Sequence, residues 1–535
     1  MFNYLAKKFN LVRLLRKQST QNANGKKQSG LKISPHLKQN LETLKKTFKE
    51  SNDFVIREFS FGSKEEPINV ALVYIEGLVA KTSINDDIMK PLMYDSSFAG
   101  FINTYQPNDI IAFIDERLLS MADSIKVSNL EEVVEGCLDG HTILLVEGET
   151  QALSISNQGW ERRSISEPQG EVVVRGPREG FTETLRTNTS LLRRKIHNPD
   201  LVLEMLKVGQ KTRTNVCIAY IAGIADDGVV QEVKNRIEDI KTDAILESGY
   251  IEQFIEDAPF SPFATIGNSE KPDVVAAKLL EGRVAILVDG SPVVLTVPFL
   301  FIEGFQSAED YYSRPYYSSL VRILRYMGFL FSLYGPGFFV AVVAFHQELI
   351  PDALIITISS AMEGTPFPVA LEAIGMGIVF EILREAGVRL PKAVGQSVSI
   401  VGALVLGDAV VSAGFVSSTM VIVVAFTAIA SFVVTSHSDA ESIIRFVMTL
   451  LGSALGLFGI TIGTIGILIH LSALRSFGSP YLSPLAPISW LDLKDTFLRF
   501  PLWAMITRPK TIGWNNYQRE SLDLIPKPPQ KKKDK

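Results

Sequence analysis

The chain has 535 residues, 46% of them hydrophobic and 21% charged, with a formal net charge of −5. Averaged over its length this composition fits a soluble protein, so any membrane signal must sit in particular segments. Two cysteines, Cys137 and Cys217, at neither CxxC nor metal-ligand spacing, exclude a disulfide scaffold and a cysteine zinc site, and the acidic body argues against nucleic-acid binding.

Residues 1–50 form a basic extension, with twelve Lys or Arg against two Glu. Its opening, MFNYLAKKFNLVRLLRKQ, scatters basic residues through the only apolar stretch and so lacks the continuous core of a secretory signal. The N-terminal region is expected to stay cytoplasmic, its extension either a solvated arm or a helix on an anionic leaflet.

Two runs then recur. VALVYIEGLVA (70–80) is matched by VCIAYIAGIAD (216–226), and LEEVVEGCLDGHTILLVEG (130–148) by PDVVAAKLLEGRVAILVDG (272–290). The near-equal offsets predict two similar α/β repeats, over 51–168 and 200–322. In each, a β-branched strand comes first, and later a helix leads into a hairpin turning at Glu-Gly-Glu or Asp-Gly-Ser.

The connector, 169–199, contains RGPREGFTETLRTNTSLLRRKI, which has no GxxxxGK[ST] spacing and is not a phosphate loop. Arg175, Arg178, Glu179 and Arg186 are read as subunit or domain contacts made through arginine forks. The six histidines form no HExxH pair, and neither GxSxG nor a strand-borne GxGxxG occurs. No catalytic residue, metal site or cofactor is expected, and the protein is not read as an enzyme.

From 323 to 485 the texture becomes that of a polytopic membrane domain. The runs 326–345, 415–435 and 446–474 are long enough to span. HQELIPD (346–352) lacks Lys and Arg while REAGVRLPK (384–392) carries three, which puts the first loop outside and the second inside. Between them, ALIITISSAM is broken by EGTPFP before PVALEAIGMGIVFEIL continues with Glu372 and Glu381, an irregular crossing tolerated only against protein or a wet cavity. The last run bears Gly452, Gly456, Gly459, Gly463 and Gly466 on one helical stripe, a surface for close helix packing, and a re-entrant bend near Gly459 would return the chain to the inside. Residues 486–535, ending in PKPPQKKKDK, read as a basic cytoplasmic tail.

GQSVSIVGALVLGDAVVSAG (395–414) holds one charge, Asp408. On a helical wheel Ser397, Val401 and Leu404 lie within about 40° of it, and Gly395 and Gly402 fall on the opposite, packing face. A carboxylate at membrane depth costs at least about 2.5 kcal/mol, so it faces water, protein or a partner charge. Two readings stand: an acidic ring at a pore with Val401 and Leu404 as hydrophobic constrictions, or a buried hydrogen bond to Arg445 or to a serine of a neighbouring helix.

RGPREGFTETLRTNTSLLRRKI (175–196), EGRVAILVDGSPVVLTVPFLFIEGFQSAEDYY (281–312), FEILREAGVRLPKAVGQSVSIVGALVLGDAVVSAG (380–414) and LRSFGSPYLSPLAP (474–487) resemble the A subunit of the GerA-type spore germinant receptors, over about residues 50–505. The basic extension favours the long-N-terminus type over the shorter related sporulation protein. The resemblance implies an α/β cytoplasmic region of two similar repeats followed by an α-helical polytopic membrane domain. It also implies a multi-pass protein of the endospore inner membrane, acting with a transporter-like B subunit and a lipoprotein C subunit in nutrient-triggered spore germination. Family members are described as ring-shaped homo-oligomers that pass cations, with the GQSVSIVGALVLG helix as pore lining, so Ser397, Val401, Leu404 and Asp408 are expected to line an ion channel. Asp408 stands where an uncharged polar residue is common in the family. A non-conducting scaffold subunit and a secondary transporter are the alternatives.

Overall fold

The computed structural model describes residues 31–62, 67–95, 110–115, 123–159, 168, 170–389, 408–513 and 516–519. The first sheet comprises β1 (Phe54–Gly62), β2 (Pro67–Ile75), β3 (Ser124–Val127), β4 (His141–Val146) and β5 (Ala152–Ser156), in the order β1-β2-β4-β5-β3. The second comprises β6 (Leu201–Val208), β7 (Thr214–Ile221), β8 (Gly267–Ser269), β9 (Val284–Val288) and β10 (Val294–Val297), in the order β6-β7-β9-β10-β8. Both are antiparallel, and one strand order maps onto the other. Val70 faces Val146 in the first sheet and Val216 faces Val288 in the second, the same positions that the sequence offsets equate. β9 is buried along its whole length, as a β-branched run covered on both faces must be.

Helices cover the sheets with one apolar stripe each. In α1 (Leu37–Thr47), Leu37, Leu41 and Leu44 bury against Val133 and Cys137 of α2 (Leu130–Leu138) and against β2. In α3 (Leu185–Lys195), Leu191 and Leu192 share a core with Val275 and Leu279 of α4 (Pro272–Glu281). As the sequence predicts, α2 leads into the β4–β5 hairpin and α4 into β9–β10, with Gly148 and Gly290 at positive φ in the turns.

The two sheets meet at a buried ion pair. Arg193 of α3 donates from Nε to Asp53 Oδ2 at 2.6 Å and from Nη2 to Oδ1 at 2.9 Å, and both side chains are 1% exposed. Ser51 and Asn52, just before β1, bond the outer edge of β6 through Leu203 and Met205.

The helical region begins with α5 (Pro315–Phe345), whose proline occupies the first turn. The 322/323 boundary read from composition falls inside this continuous helix. After it come α6 (Asp352–Met362), a break over 363–368, α7 (Val369–Arg389), α8 (Ser418–Ser431) and α9 (Ser438–Ala473). The helix α8 has only 14 residues, shorter than the apolar run 415–435, because Ser417 caps its start by accepting from Met420 N–H. Only α5 and α9 among the described helices are long and apolar enough to cross a membrane, by length and composition.

The helix α9 is bent back on itself. Gly456, with φ 61° and ψ −144°, leaves helical geometry in a region that side-chain-bearing residues avoid. A straight helix of this length would run about 54 Å, yet the rings of His437 and His470, at its two ends, lie 6.3 and 6.2 Å from the ring of Phe263. The two legs form a hairpin. Its bend packs on Phe345 and His346 at the far end of α5, and its feet stand on the second sheet's side.

Candidate functional site: a charged cleft among apolar helices

Helices α5, α7 and α9 enclose a cleft of about 590 Å³ whose lining is mostly apolar, with Pro336, Ile374 and Ile378 among its walls. One wall is charged. Arg445 of α9 pairs with Glu381 of α7 and, at 3.4 Å, with Glu441 one turn back in its own helix. Arg445 Nη1 also donates to Ser332 Oγ of α5 at 3.0 Å, and that hydroxyl donates to Glu441. Arg384 completes the cluster, reaching Glu381 at 2.7 Å and Ser442 Oγ at 2.8 Å. Glu441 Oε2 is buried with no hydrogen-bond partner. So expensive a cluster fixes three helices in register, and breaking one member leaves a buried charge behind. A second polar tie joins α7 to the cap of α8, where Glu372 Oε2 accepts from Ser417 Oγ at 2.8 Å and Ser417 N at 3.0 Å.

At the foot of the helices, an aromatic box and an ion network join them to the second sheet. The ring of His437 stacks on Phe301 at 4.9 Å and bonds the Phe301 carbonyl through Nε2 at 2.9 Å. Burial pushes its imidazole down to about 4, so it is neutral. Asp310 receives Arg322 at 3.0 Å and Arg325 at 2.8 Å, and Arg322 reaches on to Asp495 at 2.8 Å. Burial raises the Asp495 carboxyl, while Arg322 and the Tyr311 hydroxyl oppose that shift.

Ser397, Val401, Leu404, Gly395 and Gly402 lie outside the described residues. Asp408 is exposed, with Ser412 Oγ 3.5 Å away, and Arg445 is engaged by the two glutamates. Gly452 lies against α5, where an added Cβ would stand 2.4 Å from Gly337 O. Gly459 and Gly463 face the other leg at Leu451 and Met448, Gly456 makes the bend, and Gly466 faces open space. The re-entrant bend expected near Gly459 is at Gly456.

In the connector, Arg186 bridges to Glu76 after β2 at 2.6 Å. Glu179 instead binds Arg194 and Lys195 of the same connector at 3.3 and 3.2 Å. Arg175 and Arg178 are exposed, and the backbone N–H of Arg175 donates to Glu309 at 3.2 Å. The sequence placed Arg193 among the connector's paired arginines without giving Asp53 as its partner, and it did not single out the Glu381–Arg445 pair as a site, although Glu381, Glu441 and Arg445 stand out as charges in apolar helices. Among the described residues, no group of three or more His, Cys, Asp and Glu side chains is arranged to hold a metal ion.

Comparison with known proteins gives this architecture a family. A family model described as Bacillus/Clostridium GerA spore germination protein matches residues 42–511. Spore germination protein KA of Bacillus subtilis (strain 168) is 45% identical over 498 residues, covering 93% of this chain and 90% of that protein. Spore germination protein GerLA of Bacillus cereus is 35% identical over 484 residues, covering 90% and 96%. Among solved structures, the N-terminal domain of the A subunit of the Bacillus megaterium spore germinant receptor GerK3 matches with 36% identity and a TM-score of 0.41, over 51% of this chain and 99% of that one. The chain belongs to the GerA family of spore germination proteins, the A subunits of germinant receptors.

Proposed function

We propose that this protein is the A subunit of a nutrient germinant receptor in the endospore inner membrane, and that copies of it form a ring passing cations when nutrient binds, so triggering germination. The observation that carries the role in germination is the family match over residues 42–511, with relatives named as spore germination proteins that align over nearly their whole length. The family resemblance supplies the partners, a transporter-like B subunit and a lipoprotein C subunit.

The hairpin supports a membrane topology. With α5 as a crossing and α9 as a pair of legs bent beside the far end of α5, the chain returns to the side of the sheets. If the sheets are cytoplasmic, the lysine-rich terminus is too, as the positive-inside rule prefers. The segments α6, the break and α7 provide the irregular crossing, and the charged cleft gives its polar groups protein partners.

The channel reading rests on Asp408, a carboxylate exposed beside apolar helices in the single chain. Repeated around an axis, Asp408 attracts cations, Val401 and Leu404 close the resting pore, and Ser397 continues the lining. Gly395 and Gly402 pack the opposite face. Potassium release from spores carrying Val401→Ala or Asp408→Asn tests this. The first should raise unstimulated release and the second reduce cation preference. Unchanged release and selectivity, with normal levels of assembled protein, would refute a conducting role.

A further inference from the structure

Residues 488–503, ISWLDLKDTFLRFPLW, carry their polarity inside out. Asp492, Thr496 and Arg499 are buried, at 9%, 0% and 5% exposure, while Trp490 is 75% exposed and Phe497, Leu498, Phe500, Leu502 and Trp503 are between 40% and 48% exposed. Most of the inward groups have protein partners: Asp492 accepts from Ser489 Oγ at 2.7 Å, Asp495 binds Arg322 and Tyr311, and the Arg499 backbone N–H donates to Ser319 Oγ at 3.0 Å, while Thr496 Oγ1 and Arg499 Nε are buried without a hydrogen-bond partner among the described residues. In water the opposite arrangement is the rule.

The level of this segment along the helices is fixed. It runs beside the first turns of α5, with Phe497 and Tyr326 rings 5.0 Å apart, where the apolar stretch of that helix begins. Tyr326 stacks on Phe305, and Phe305 touches His437 at the foot of α9. At the other foot, Ser261 Oγ lies 2.8 Å from His470 Nε2, and the neighbouring Phe260 is 99% exposed. Exposed aromatic rings thus stand beside α5 and beside the second foot of α9, at the sheet-side ends of the apolar helices, and in membrane proteins tryptophan and tyrosine concentrate at such ends.

We infer that residues 488–503 form a collar lying in the headgroup region of the leaflet that faces the sheets, with Trp490, Phe500 and Trp503 seated on phospholipid and Phe260 as a second anchor. The occupant is a lipid surface. The segment is continuous with the apolar face of α5, and its inward acids are spent on protein partners, Asp495 on Arg322 and Tyr311 and Asp492 on Ser489 and the Lys510 backbone N–H, leaving an apolar outer side. Through the Asp495–Arg322 pair the collar also fixes the depth of α5 relative to the second sheet.

This inference rests on the membrane reading above, and one experiment separates the two. The full-length chain carrying Trp160→Phe and Trp514→Phe retains Trp490 and Trp503, and it is reconstituted in phosphatidylethanolamine–phosphatidylglycerol vesicles. Quenching is read with lipids brominated near the carbonyls, with lipids brominated near the chain ends, and with aqueous iodide. A control lacks all four native tryptophans and carries Ile465→Trp, at a lipid-accessible position of α9. The collar predicts at least twofold stronger quenching of Trp490 and Trp503 by shallow than by deep bromines, weak quenching by iodide, and deep-bromine quenching in the control. Quenching of the collar pair by iodide alone, or shielding from every quencher as at a contact with a second protein, overturns the collar while the control upholds the membrane reading. A control that bromolipid does not quench overturns both.

Discussion

At Gly452 two helix backbones come so close that a side chain has no room. Its missing Cβ would lie 2.4 Å from Gly337 O, whereas Gly466 on the same stripe meets nothing within 4 Å. Gly452→Val should therefore cost about 1–3 kcal/mol by overpacking, and Gly466→Ala should be neutral, as read by thermal unfolding of the detergent-solubilised protein. His437 makes a second prediction. Its folded imidazole sits near pH 4 because it is buried among Phe263, Phe301, Phe305 and Phe329. An unfolded histidine titrates near 6.5, so between about pH 6.5 and 4 the unfolded chain binds the extra proton and stability falls as pH falls. The unfolding temperature should be lower at pH 5 than at pH 7, and His437→Gln, which keeps a donor for the Phe301 carbonyl, should shrink that difference.

Between elements, buried ion pairs carry the register. Asp53→Asn should destabilise the α/β region by about 3–5 kcal/mol, because Arg193 is left charged and dry; replacing both partners with apolar residues should recover most of the loss. Denaturant midpoints of the full chain check both outcomes. The sheets were legible in the sequence because each offers β-branched runs and glycine turns, and the offsets equate Val70 with Val216 and Val146 with Val288. The glycine stripe of α9 was also legible, but the bend is a backbone torsion at one residue, Gly456, and spacing alone located it only to within a turn. Glu381 and Arg445 are 64 residues apart, beyond any helical periodicity, so their pairing required the packed structure. The segment 486–513 was read with the basic tail because charge at the extreme terminus dominated; Asp495 and Arg499 instead tie it to Arg322 and Ser319 of α5, and Arg508 ties it to the Leu280 carbonyl of α4.

For the molecule as a whole, one chain supplies a charged cleft and the exposed carboxylate of Asp408, but a cation pathway through Asp408 requires several copies around an axis. Family membership brings this chain into the spore germination machinery, and a ring of copies is the proposed step toward conduction. The decisive measurement is the native mass of the full-length protein extracted in mild detergent, with bound detergent subtracted. A discrete multiple of the 59.0 kDa subunit, trapped by cross-linking as one closed species, is the predicted result. A 59.0 kDa monomer that associates only with other receptor subunits would contradict it.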